Sequence, residues 1–77
     1  MRLLTTQEFS EYLDQAYGDR GYGETLGQSI YRVAIGKDDD NMRELLKYAA
    51  ENGFYLYSWE NDLALIKYFI DNFVEEL

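Results

Sequence analysis

Gln28-Ser29-Ile30-Tyr31-Arg32-Val33-Ala34-Ile35-Gly36 admits two periodicities, and the fold class turns on which of them prevails. Leu26, Ile30, Val33 and Ala34 recur at helical spacing, whereas Tyr31, Val33 and Ile35 alternate and include β-branched residues. As a helix over 26–35, ended by Gly36, the segment belongs to an all-α domain, a small helical bundle of about four helices. As a strand it has one natural partner, Phe54-Tyr55-Leu56-Tyr57-Ser58-Trp59, whose composition also suits extended chain. Pairing 29–35 with 54–59 would give an α+β domain with a two-stranded sheet. The helix is the expectation and the sheet its alternative.

The flanking segments are less ambiguous. Downstream, Met42, Leu45, Leu46, Ala49 and Ala50 line one side of a helix over about 40–52, opposite Arg43, Glu44, Lys47 and Glu51. Asp40 or Asp39 serves as its N-cap, and Asn52-Gly53 supplies a left-handed stop with Phe54 placed for the accompanying apolar contact. Upstream, Thr5-Thr6-Gln7-Glu8 fits a capping box, opening a helix over about 6–17 with Phe9, Tyr12, Leu13, Ala16 and Tyr17 on its apolar side and Gly18 as its stop. A last helix over about 60–76 carries Leu63, Ile66, Ile70, Phe73 and Leu77, and Leu65, Phe69 and Val74 widen that stripe to about 180°. An arc so broad either sits centrally, covered from two sides, or faces another molecule.

Seventy-seven residues make one domain, with 1–77 read as a single acidic helical unit. There is no His, Cys or Pro, which removes thiol chemistry, cysteine metal sites and the commonest general acid–base. Ser10, Ser29 and Ser58 have no histidine to activate them, so the chain is expected not to be an enzyme, with no cofactor and no metal. Gly18, Gly21, Gly23 and Gly27 match no phosphate-binding pattern and mark a surface loop, in which Tyr22 either tucks inward or projects as a contact residue. Counted from Asp38 as a calcium loop, position five is Met42 and position six is Arg43, so the acids there read as a helix cap. No apolar stretch suggests a signal peptide or membrane span, and the chain reads as a complete, soluble, cytoplasmic protein.

Charge points to the kind of partner. Fifteen Asp and Glu stand against seven Lys and Arg, for a net charge of -8. Nucleic acid and anionic membranes are therefore disfavoured, while basic protein surfaces are attracted. Candidate carboxylate rows are Glu8, Glu11 and Asp14; Asp38, Asp39 and Asp40; and Asp71, Glu75 and Glu76. Such rows can imitate phosphates, which repeat about every 3.4 Å along one DNA strand. Eight tyrosines against four phenylalanines, plus Trp59, suit an interface, and Tyr22, Tyr55, Tyr57 and Trp59 are its candidate aromatic contacts. In size, charge and lack of cysteine the chain resembles small acidic phage proteins that inhibit host defence, including anti-CRISPR and antirestriction inhibitors. That resemblance implies a protein-binding inhibitor, a DNA mimic occupying a basic nucleic-acid-binding site. The alternatives are a structural homodimer formed through Leu65, Tyr68 and Phe69 of the last helix, or an acidic accessory subunit of a larger assembly.

Overall fold

A computed structural model describes residues 1–54 and 62–75. Four helices account for most of these residues: α1 (Thr6–Asp19), α2 (Leu26–Gly36), α3 (Asp40–Glu51) and α4 (Asp62–Phe73). The contested segment is α2, so the all-α reading holds and residues 29–35 form no strand. The other half of the alternative sheet, 54–59, lies outside the described residues from 55 onward. A two-stranded parallel sheet does exist, elsewhere: β1 (Leu4–Thr5) pairs with β2 (Val74–Glu75), Leu4 against Val74 and Thr5 against Glu75. It ties the start of α1 to the end of α4.

Local chemistry explains each helix start. Thr5 accepts the Glu8 amide while Glu8 accepts the Thr5 amide, a reciprocal box that satisfies two donors without helical partners. Thr25 and Gln28 repeat the arrangement at the start of α2. This second box settles the ambiguity of residues 28–36 in favour of helix, because it fixes the first turn. Asp39 caps α3 by accepting the Met42 amide at 3.1 Å.

Two helix ends differ from expectation. α1 passes through Gly18 to Asp19, because side chains from α2 reach its terminal carbonyls. The Ser29 hydroxyl, fully buried, donates to the Ala16 carbonyl at 2.7 Å, and the Arg32 guanidinium donates to that of Asp19. α2 likewise does not stop before Gly36; the left-handed residue is Asp38, at φ 55°. The Asp39 amide returns to Ala34 and the Asp38 amide to Ile35, the paired bonds of a Schellman ending. α3 ends as anticipated, with Gly53 at φ 94°, its amide on Ala50 and that of Phe54 on Ala49.

The core lies where α1, α2 and α3 meet the inner face of α4. Its members are Leu4, Phe9, Tyr12, Ala16, Leu26, Ile30, Val33, Ala34, Met42, Leu45, Leu46, Ala49, Leu65, Phe69 and Phe73. In α4 the buried stripe is Leu65, Phe69 and Phe73, whereas Leu63 and Ile70, expected inside, are 73% and 46% exposed. Ring geometry accounts for the choice. Phe69 stacks on Phe9 with centroids 5.3 Å apart and meets Phe73 edge-on at 5.0 Å.

Candidate functional site: paired cations, exposed acids and a braced tyrosine

All four arginines are engaged by the chain's own carboxylates. Arg2 forms a fork on Glu8, with bonds of 3.0 and 2.8 Å. Arg20 spans 42 residues to Asp62 at 2.7 Å, and Arg32 contacts Glu24 at 3.1 and 2.9 Å. Arg43 pairs with Asp40 and lies 3.8 Å from Asp38. Lys67 adds an i,i+4 pair with Asp71 at 2.6 Å, and the amino terminus meets Glu44 at 3.5 Å. Lys37 sits over the Tyr12 ring at 4.6 Å.

The candidate acids therefore separate by their surroundings. Glu8 and Asp39 belong to the framework. The Arg2 guanidinium, helped by the Thr5 amide, holds the Glu8 carboxyl down at about 2. Burial works against ionisation of Asp39, but the Tyr12 hydroxyl and the Met42 and Asn41 amides outweigh it and hold the carboxyl below its ordinary value. Asp40 and Asp71 are exposed but paired. Glu11, Asp14 and Glu75 are exposed with no cation partner among the described residues; Glu11 accepts only the Gln7 amide, at 3.1 Å. Asp38 is almost wholly solvated, its side chain 96% exposed. Glu76, Tyr55, Tyr57 and Trp59 lie outside the described residues.

The aromatic and apolar candidates also separate. Leu65 and Phe69 are inside this chain's own core, at 1% and 0% exposure. Tyr68 is half-buried between Phe54, at 4.0 Å, and Phe73, at 5.5 Å. Tyr22 is fully exposed at the tip of the α1–α2 connection. Arg20 anchors that connection: its Nε donates to the Glu24 carbonyl at 2.8 Å while its terminal nitrogens hold Asp62, which also accepts the Tyr17 hydroxyl at 3.2 Å. No local pattern joins Arg20 to Asp62 in the sequence, so only the assembled fold reveals this clamp.

Concavities accompany these features, among them a shallow one of about 290 Å³ beside Tyr68 and Asp71. An open one of about 450 Å³ is lined by Tyr31, Asp40, Arg43, Glu44 and Lys47, charges of both signs. An apolar groove of about 260 Å³ runs between α1 and α4, lined by Thr6, Phe9, Ser10, Leu13, Ile70 and Val74. It is smaller than sites for drug-sized molecules, which start at about 300 Å³. Among the described residues no cluster of three acids is placed to hold a metal ion, and no helix is long and apolar enough to cross a membrane. No protein-family model, curated protein or solved structure matches the chain.

Proposed function

We propose that this chain is a non-enzymatic protein-binding module that docks an acidic, tyrosine-bearing surface on a basic site of a partner protein. In its most specific form the reading is a cytoplasmic inhibitor, of the kind small acidic phage proteins represent, that occupies a nucleic-acid-binding groove. The engagement of all four arginines by internal carboxylates carries the reading. A chain of net charge -8 whose arginines are neutralised locally has little left to repel a basic surface. Glu11, Asp14 and Glu75, lacking cation partners among the described residues, would face that surface. Such charges act on encounter rate more than on residence time.

The experiment has two stages. Proteins retained by the immobilised chain at low salt and released at high salt are identified, and the chain is then titrated into a retained protein bound to its DNA or RNA. Release of the nucleic acid supports the reading, and association slowed several-fold at low ionic strength in a Glu11→Gln/Asp14→Asn variant supports its electrostatic part. Direct binding of the chain to duplex DNA at ordinary ionic strength, or turnover of a small molecule, overturns it. A homodimer has one observation in its favour, the half-exposed Ile70 beside the apolar groove. A sedimentation mass twice that of the chain would select it, against the repulsion between two chains of charge -8.

A further inference from the structure

We infer that Tyr22 is a preformed receptor for a guanidinium or ammonium group of the basic partner, its ring accepting the cation on an open face. The inference rests on the protein-binding reading above and names the residue that makes the contact. The Gly21–Glu24 turn is fastened at its polar atoms. The Glu24 amide donates to the Gly21 carbonyl at 3.1 Å, and the Gly21 amide donates to the Glu24 carboxylate at 3.0 Å. Arg20 takes the Glu24 carbonyl, and Arg32 forks on the carboxylate. Gly23 sits at φ 77°, the value a type II turn requires at its third residue. A backbone held this firmly needs little further ordering when it meets a partner.

What the turn displays is one ring. Tyr22 has a relative exposure of 110%, so both faces and the hydroxyl are in solvent. A mobile loop with an aromatic residue would gain by laying the ring on neighbouring apolar surface. Here the braced backbone sets the ring at the outside of the turn, clear of the core. Elsewhere the chain already places cations over tyrosines: Lys37 over Tyr12 at 4.6 Å and Arg20 over Tyr17 at 5.9 Å. Tyr22 offers the same negative ring face unoccupied, and the cation it would take must come from another molecule.

The probe is a fluorescently labelled octa-arginine peptide, titrated into the intact chain at low salt with NMR observation of the tyrosine rings. The expected result is early movement of the Tyr22 ring signals. Tyr22→Phe should bind like the parent, and Tyr22→Leu, which keeps apolar bulk but loses the ring face, about two- to fivefold more weakly. Because residue 22 is solvated, none of these changes should alter the melting temperature, which is measured alongside. Peptide binding with still Tyr22 signals and an unaffected Tyr22→Leu variant overturns this inference and leaves the acidic-surface reading standing. An absence of any binding at low salt overturns both.

Discussion

The Tyr12 hydroxyl donates a 2.7 Å hydrogen bond to the Asp39 carboxylate, joining α1 to the start of α3 across 27 residues of chain. Asp39 closes the α2 ending with its amide, caps α3 with one carboxylate oxygen and receives Tyr12 on the other. Tyr12→Phe should lower stability by about 1.5–3 kcal/mol, the range for a hydrogen bond to a charged group. Asp39→Ala should cost more, since it also removes the cap. Urea denaturation of both variants and their combination gives the coupling, expected at about 1–2 kcal/mol. Additive effects would mean that the bond contributes nothing.

The α2–α3 connection carries its left-handed residue at an aspartate, while the nearby Gly36 is helical with open space where a Cβ would stand. Both positions leave room for improvement. Asp38→Gly should raise stability by up to about 1 kcal/mol by removing the cost of φ 55°. Gly36→Ala should add about 0.5–1 kcal/mol by restricting the unfolded chain. Gly53→Ala, at φ 94° with equally open surroundings, should instead lower stability by about 1–2 kcal/mol. Shifts in urea midpoint at constant slope check all three, and a destabilised Asp38→Gly variant would contradict the assignment of strain.

Much of this was legible in the sequence where a side chain acts on backbone a few residues away. The Thr5–Glu8 box, the acidic cap of α3 and the Asn52-Gly53 stop are local devices, and each forms where the residue types placed it. The apolar pattern of α2 fits helix and strand alike, and the deciding local signal is the pair Thr25 and Gln28, which repeats the capping spacing of Thr5 and Glu8. The extension of α1 past Gly18 depends on Ser29 and Arg32, and the Arg20–Asp62 clamp crosses most of the domain, so neither has a local signature. β1 and β2 are two residues each, too short for any periodicity. Among the acids, charge alone does not distinguish Asp39 from Asp38, because the distinction lies in the Met42 amide and the Tyr12 hydroxyl that Asp39 accepts.

The division of α4 into an inner and an outer face gives a direct comparison between adjacent residues. Phe69 is fully buried against Phe9 and Phe73, while Ile70 is 46% exposed at the edge of the α1–α4 groove. Phe69→Ala should cost about 3–5 kcal/mol and Ile70→Ala less than about 1 kcal/mol. Should Phe69→Ala leave no folded protein, Phe69→Leu supplies a measurable version of the same loss. Equal destabilisation at the two sites would mean that the helix is rotated about its axis relative to this packing.

Acid stability should depend on two glutamates held by arginines. Hydrogen bonding from Arg2 and the Thr5 amide lowers Glu8 to about 2, and Arg32 with the Gly21 amide lowers Glu24 to about 2. In the unfolded chain both return to the ordinary value near 4.5. A depressed carboxyl stabilises the fold fully above its unfolded value, and that contribution disappears as the pH falls from about 4.5 toward 2. Protonation of the other carboxylates acts in the opposite direction by relieving the self-repulsion of a chain of charge -8. The difference between parent and variant isolates the paired groups from that background. Glu8→Gln/Glu24→Gln should be less stable than the parent at neutral pH, and the gap should close by about pH 2. The Glu8 side chain is 38% exposed and that of Glu24 20%, so the gap should also narrow in high salt, more through Glu8 than through Glu24. A gap that stays constant down to about pH 2 would show that the glutamates act through packing and hydrogen bonds common to glutamine, with no contribution from their charge.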